Sequence, residues 1–284
     1  MADLGGGQTE RGSLDKLVRK MGEDRSIDLG LYRRTYLERR LASRMRALGL
    51  TTYKQYADAL DRDSDEYAHF LQALTINVTQ FFRDPGMWAV LQESVIPSIL
   101  AEKIRRHGHT LRVWSAGCAT GEEAYSLAMA FLEALEAEPR QMTLAIRATD
   151  IDPDALAIAR TGIYASEKRA QIPDPLGPRY TLGLDADSAG TFQINPDVRR
   201  LVRVESYSLF DAPPMKLVDL VMCRNVFIYF DRPEQSRVLD GFWNAMSPGA
   251  YLVLGRSERL SADAYSHFET IDSKERVYRK PTRT

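Results

Sequence analysis

Thr110-Leu-Arg-Val-Trp-Ser-Ala-Gly-Cys-Ala-Thr-Gly-Glu-Glu-Ala-Tyr-Ser-Leu-Ala-Met-Ala130 changes its hydrophobic period within a few residues. Thr110 to Ser115 is a short apolar run rich in strand formers. Glycines follow, and then a helical pattern from Glu122 to about Glu138. Strand, tight turn and helix in that order open an α/β unit. Gly117 and Gly121 let the backbone come close to a ligand, and the helix start offers unpaired N–H groups. The spacing is not GxGxxG, the form that seats a pyrophosphate. Glu122 and Glu123 would also repel phosphate; acids here suit a cationic group such as an amine. The same turn alone is equally a plain strand-to-helix connection, with acids favoured by the helix dipole.

Downstream, the alternation continues. Leu144 to Thr149 reads as a second strand ending at Asp150, and Asp152-Pro153 opens another helix with a cap and a first-turn proline. Asp150 is placed to accept hydrogen bonds from ribose hydroxyls. Leu201 to Val204, Leu217 to Cys223 and Ala250 to Gly255 fit further strands, with a helix from about Pro233 to Met246. Strands alternating with helices imply right-handed crossovers and a mostly parallel sheet. Phe268 to Tyr278 leaves no room for another crossover and fits antiparallel edge strands. Gly162 to Arg200 breaks the alternation with four prolines and runs such as Thr191-Phe-Gln-Ile194. It reads as an insertion of short strands or loops, and an insertion of that length implies a task.

Upstream the signal is helical. A helix of about Met87 to Glu102 precedes the first strand, and Asp84-Pro85 marks a change of pattern. Leu14 to about Phe82 has almost no strand signal. Leu37, Leu41, Met45 and Leu48 form one apolar stripe, and Gly49 looks like its stop. Thr52 opens a helix over about Tyr53 to Leu60, and Asp63 to Leu74 reads as another. Leu31 to Leu50 holds six arginines and one acid, Glu38. Arg33, Arg40 and Arg44 share a stripe beside the apolar one, with Arg39 and Arg46 further round. Met1 to Ser13 is polar and Gly-rich and reads as a mobile tail rather than a signal sequence. The fold expected is therefore α/β. A Rossmann-like domain with a mostly parallel sheet spans 84–284, a small β-subdomain is inserted at 162–200, and an all-helical domain precedes them at 14–83.

Bulk properties exclude several classes. Apolar residues make up 44% and charged residues 27% of the 284, an ordinary globular balance. A net charge of −1 argues against a general nucleic-acid binder. Cys118 and Cys223 form no zinc or disulfide spacing, and no metal is expected. No apolar run is long enough to span a membrane. The location expected is cytoplasmic.

Two more segments carry polar groups beside aromatics. Asn77-Val-Thr-Gln-Phe-Phe-Arg83 sits where the helical and α/β parts meet in sequence. Val221-Met-Cys-Arg-Asn-Val-Phe-Ile-Tyr-Phe230 is a buried-looking strand that runs into Arg224-Asn225, with Tyr229 a few residues on. In open α/β sheets ligands bind at such carboxyl ends. Each segment is also readable as core aromatics beside solvated charges.

Together these segments resemble the CheR family of chemotaxis receptor glutamate methyltransferases. The matching strings are NVTQFFRD, VWSAGCATGEEAYS, TDID, CRNVFIYF and GRSE at Gly255 to Glu258, in the family's order, over about Leu14 to Tyr278. The resemblance implies transfer of a methyl group from S-adenosylmethionine to glutamate carboxylates of methyl-accepting chemotaxis receptors, leaving S-adenosylhomocysteine. It implies cofactor contacts at Asn77, Thr79, Arg83, Asp150, Arg224 and Asn225. One acid of the Glu122–Glu123 pair belongs with them, and Glu122 is preferred. Where the family often has Asn-Leu-Leu after the insertion, this chain has Ser208-Leu209-Phe210, so the contact there is shorter. Arg83 and Tyr229 match residues implicated in catalysis. Arg40 and Arg46, with Arg44 on the same helix, match a basic face that recognises the receptor. The insertion resembles a β-subdomain that in some members tethers a receptor C-terminal pentapeptide; the loop Leu184-Asp-Ala-Asp-Ser-Ala-Gly190 is acidic here. Alternatives are a like enzyme acting on another protein carboxylate, or a cofactor-binding signalling adaptor. A dehydrogenase lacks its GxGxxG, and a nucleic-acid methyltransferase lacks an Asn-Pro-Pro-Tyr or Pro-Cys motif.

Overall fold

The computed structural model describes residues 6–25, 29–75, 77–138, 140–183, 190–260 and 267–282. They divide into two compact units, Met1–Ile76 with Tyr229–Glu234, and Asn77–Ile228 with Gln235–Thr284.

The first unit is helical: α1 (Gly6–Arg25), α2 (Arg34–Ala47), α3 (Tyr53–Arg62) and α4 (Ser64–Leu74). The segment expected to be a mobile tail is in part the start of α1, whose Leu14, Leu17 and Met21 are buried; residues 1–5 lie outside the described residues. Three apolar side chains at helical spacing anchor α1, which the polar composition ahead of them obscures. On α2, Leu37, Leu41 and Met45 are buried as the stripe requires, but Leu48 is 42% exposed. The helix ends at Ala47, so Leu48 falls at its C-cap and off the stripe, just before Gly49 at φ 68°. Thr52 caps α3 in a capping box with Gln55.

The second unit opens with α5 (Pro85–Val90), a five-residue π-helical turn (Leu91–Val95) and α6 (Ile96–Arg105) where one helix was expected. Then come β1 (Thr110–Ala116), α7 (Glu122–Glu136), β2 (Thr143–Asp150) and α8 (Pro153–Thr161). The insertion follows: β3 (Ile163–Ala165), a 3-10 turn (Ser166–Gln171), α9 (Leu176–Tyr180), β4 (Thr181–Gly183) and β5 (Thr191–Ile194). The main sheet resumes through α10 (Pro196–Arg199), β6 (Val202–Ser206), β7 (Val218–Cys223), α11 (Arg232–Ala245), β8 (Met246–Leu254), β9 (Glu269–Asp272) and β10 (Val277–Arg279).

The seven-stranded sheet has the order β6-β2-β1-β7-β8-β10-β9. Its first five strands pair in parallel, and β10 and β9 close the edge antiparallel, as the short C-terminal run required. β7 is buried along its whole length because helices cover both faces. The insertion forms its own antiparallel sheet, β3-β5-β4; residues 184–189 of its acidic loop lie outside the described residues.

Candidate functional site

Strand order puts a crevice beside β1. From β1 the chain moves to β2 and β6 on one side, while β7 lies on the other. The turns that follow β1 and β7 therefore diverge, the place where ligands enter such sheets. The turn after β1 is tied to β2: the Gly117 and Cys118 amides both donate to the Thr149 carbonyl, at 2.8 and 2.9 Å. Gly117, Ala119 and Gly121 are all left-handed, at φ 79°, 46° and 95°. A Cβ on Gly117 would lie 2.4 Å from Val226 Cγ2, and one on Gly121 would lie 2.9 Å from Ala159 Cβ. The close approach that the glycines permit is thus made by neighbouring protein, which sets the turn's shape.

Asp150 ends β2 inside this crevice. Its Oδ2 accepts the Ala119 amide at 2.8 Å and its Oδ1 the Asp152 amide at 3.0 Å. Burial pushes its pKa up, and these backbone donors oppose the shift. Asn77 joins the same group, its Nδ2 donating to Asp152 Oδ2 at 2.7 Å. Beyond β6, the Tyr207 amide donates to the Asp150 carbonyl at 2.9 Å, Ser208 Oγ accepts the Phe210 amide at 3.3 Å, and Leu209 packs on the core under α11. Thr79 is half-buried in the Asn77–Arg83 loop.

The two acids of α7 point different ways. Glu122 is fully buried; its Oε2 accepts the Thr120 hydroxyl at 2.6 Å and its Oε1 pairs with Lys168 of the insertion. Glu123 takes the Ser115 hydroxyl at 2.7 Å and lies 3.7 Å from Arg224. Burial raises the Glu123 pKa, with Arg224 and Ser115 opposing. The structure brings Glu123, and not the preferred Glu122, together with Arg224.

Arg83 is held by its backbone more than by its side chain. Both neighbours are left-handed, Phe82 at φ 49° and Asp84 at φ 62°, a strained arrangement for a bulky aromatic. The Phe82 amide donates to Ser126 Oγ at 3.0 Å, and Trp88 Nε1 donates to the Arg83 carbonyl at 3.0 Å. Arg224 also reaches that carbonyl, at 3.3 Å, and pairs with Asp84. The Arg224 side chain is 4% exposed, and its Nε is buried with no hydrogen-bond partner among the described residues. Asn225 is left-handed at φ 62°, and Glu258 fastens it: Glu258 Oε2 accepts the Asn225 and Gly255 amides at 2.9 and 2.6 Å, and Oε1 the Phe227 amide at 2.7 Å. Trp88, Lys168 and the anchoring tasks of Asp84 and Glu258 were not singled out from sequence. Asp84, in NVTQFFRD, and Glu258, in GRSE, lay inside quoted strings; Glu123 was weighed as the alternative to Glu122.

The remaining candidates belong to the first unit. Tyr229 stacks obliquely on Tyr36 at 4.7 Å, and its carbonyl accepts the Arg33 amide at 2.8 Å. Arg39 and Arg40 each lie over the Tyr36 ring, at 5.6 and 5.1 Å. Arg40 Nε is buried without a partner among the described residues, while Arg46 is exposed. Arg44 is engaged elsewhere: its Nε and Nη2 clamp the buried Glu66 at 2.9 and 2.6 Å, and Tyr56 donates to the same carboxylate at 2.6 Å.

Residues 77–277 match the family described as CheR methyltransferase, SAM binding domain, and residues 13–75 match CheR methyltransferase, all-alpha domain. The chain belongs to the CheR methyltransferase family. Among its relatives is the "Chemotaxis protein methyltransferase 2" of Pseudomonas aeruginosa, 36% identical over 224 residues, 78% of this chain and 77% of that one. The "Chemotaxis protein methyltransferase" of Salmonella typhimurium is 35% identical over 242 residues, 83% of this chain and 79% of that one. A Rhodobacter capsulatus "Uncharacterized 104.1 kDa protein in hypE 3'region" is 35% identical over 267 residues, 94% of this chain but 27% of that protein. The chain thus spans about a quarter of that longer relative. As a CheR methyltransferase domain it uses S-adenosylmethionine, and the crevice residues fit that molecule. A buried guanidinium with an unused Nε suits its carboxylate, the acid Glu123 its ammonium, and Asp150 its ribose. No helix among the described residues is long and apolar enough to cross a membrane.

Proposed function

We propose that the chain methylates glutamate side chains of chemoreceptors, working in the cytoplasm as a protein-glutamate O-methyltransferase. The observation that carries this is the CRNVFIYF segment, which joins Arg224 of the crevice to Tyr229 in a chain that also carries NVTQFFRD, VWSAGCATGEEAYS, TDID and GRSE. S-adenosylmethionine, when bound, supplies a methyl group on a positively charged sulfur, which leaves as a neutral thioether. The acceptor glutamate is already a carboxylate at pH 7, so no general base is required. Its oxygen forms the new O–C bond as the C–S bond breaks, and no proton moves. The protein's work is then alignment and exclusion of water. Arg83 and Tyr229 are assigned to the acceptor, the guanidinium holding the carboxylate and the phenol directing one oxygen. Asn77, Thr79, Arg83, Asp150, Ser208, Leu209, Arg224 and Asn225 are assigned to the donor. Glu122 was the preferred acid of its pair, but the position of Glu123 beside Arg224 favours Glu123 as the direct contact.

The helical segment is assigned to receptor recognition and the rest to catalysis. Arg40 and Arg46 are proposed to steer an acidic receptor helix. Arg44, although on the same helix, supports the fold through Glu66. The inserted sheet is proposed to take a receptor C-terminal pentapeptide by strand addition. The test is labelled methyl transfer from S-adenosylmethionine to receptor-containing membranes. Alkali-labile label, as an ester gives, is expected. Alkali-stable label would point to N-methylation and overturn the carboxylate reading, and no transfer with intact cofactor binding would favour an adaptor.

A further inference from the structure

The inserted sheet touches the donor crevice at three points that recognition of a peptide does not require. Lys168 pairs with the fully buried carboxylate of Glu122, at the first turn of α7. The Tyr164 hydroxyl of β3 donates to the Thr120 carbonyl at 2.7 Å, in the turn itself. Gln171 Oε1 accepts the Phe81 amide at 3.1 Å, two residues before Arg83. Aromatic packing reinforces these bonds: Phe81 meets Tyr164 edge-on at 5.0 Å and Phe192 of β5 at 6.0 Å. Gly121 is bare of a side chain where the Tyr164 hydroxyl would lie 3.1 Å from a Cβ. So β3, the turn after it and β5 press on both segments that frame the donor site, the 117–122 turn and the 77–83 loop.

Glu122 is the centre of this contact. A carboxylate with no exposed surface is unfavourable unless it is paired. Among the described residues its partners are Thr120, inside the turn, and Lys168, outside it. The ammonium of Lys168, itself over the Tyr164 ring at 5.8 Å, therefore fixes the carboxylate, which fixes Thr120. Thr120 is one residue from Ala119, whose amide aims the Asp150 carboxylate.

We propose that Lys168 is a positioning residue for the methyl-donor site, and that through the Lys168–Glu122 pair the inserted sheet and the donor turn order one another. Linkage makes this reciprocal: a donor molecule that orders the turn must also order the insertion, by the same factor. The inference concerns the donor site alone and holds whatever the acceptor proves to be.

The test is S-adenosylhomocysteine binding to the full chain by calorimetry, with hydrogen exchange read at Thr181–Gly183 and Thr191–Ile194. For Lys168→Met the dissociation constant is expected to rise about fivefold or more, a typical coupling factor, with Lys168→Arg close to wild type. In wild type, saturating S-adenosylhomocysteine should slow exchange in these two strands, and in Lys168→Met it should not. Lys168→Met leaves Glu122 buried and unpaired, which risks the fold. Glu122→Gln/Lys168→Met removes both charges and is expected to behave as Lys168→Met in both measurements. Wild-type affinity in the double variant overturns the proposal. So does insertion exchange in the wild-type protein that ignores S-adenosylhomocysteine.

Discussion

Glu258→Gln isolates what the GRSE segment does. The wild-type carboxylate is 3% exposed and accepts the Asn225 and Gly255 amides on Oε2 and the Phe227 amide on Oε1. Burial raises its pKa and the amides oppose the shift. Glutamine has the same shape but one acceptor. With its oxygen at the Oε2 position it keeps Gly255 and Asn225, as neutral hydrogen bonds rather than charge-assisted ones, a loss of about 1 kcal/mol each. Its NH2 then faces the Phe227 amide, donor against donor, and the unpaired buried N–H costs about 2 kcal/mol. The total is about 4 kcal/mol, a large share of the stability of an ordinary domain. At about 2–4 °C per kcal/mol for a domain of this size, melting should fall by roughly 8–16 °C. Asn225 is left-handed, and its conformation persists only while its surroundings impose it, so the loop after β7 should relax first. S-adenosylhomocysteine affinity should then fall at temperatures where the variant is still folded. The assay is thermal unfolding by circular dichroism, with calorimetry at 15 °C. Melting within about 2 °C of wild type, with unchanged affinity, would refute the anchoring argument.

Three further outcomes are expected. Arg44→Ala strands the buried Glu66 carboxylate and should destabilise the chain by about 3–5 kcal/mol, whereas Arg46→Ala should leave melting unchanged and raise KM for the receptor; equal melting temperatures for the two variants would contradict this. Burial holds the Glu123 pKa above its ordinary 4.5. That preference stabilises the free protein below 4.5 and is lost as pH rises through the folded value, whereas an ammonium ligand needs the carboxylate. S-adenosylhomocysteine affinity should therefore fall as pH is lowered, starting above 4.5, and less steeply in Glu123→Gln; parallel slopes would remove Glu123 from the site. Gly117→Ala drives a Cβ to 2.4 Å from Val226 Cγ2 at φ 79° and should abolish cofactor binding. Adding Val226→Ala should restore part of it, because the clash goes and the dihedral strain stays; no restoration would show that Gly117 serves only its own dihedral angles.

The parallel sheet, the helical segment and the closing antiparallel strands were legible because each depends on local period and on connection length. Thr110 to Ser115 could be little else than a buried strand, and Asp152-Pro153 announced α8. The polar constellation was legible by type and not by direction. Glu122 and Glu123 are adjacent on one helix, about 100° apart, so which faces Arg224 depends on where the insertion puts Lys168. No periodicity carries that, since Lys168 lies 46 residues from its partner. The pairing of Arg44, read from sequence as part of the basic stripe, was hidden for a like reason: Glu66, which it clamps, sits on α4, 22 residues away.

These two cases share a physical cause. A buried charge is neutralised by whatever opposite charge the tertiary structure brings, and the cost of leaving it unpaired exceeds any helical preference. A stripe of arginines therefore divides into members held by an internal acid and members left for a partner, and burial of the acid decides which. Glu66 is 1% exposed and takes Arg44, while Arg46 bonds only the Ala42 carbonyl of its own helix among the described contacts. The same rule sorts the α7 acids, because Glu122 is sealed and paired inside the protein while Glu123 keeps its place beside the arginine whose Nε is unused. If charge reversal at Arg46 leaves receptor methylation as salt-sensitive as before, this division assigns the steering field to the wrong arginine.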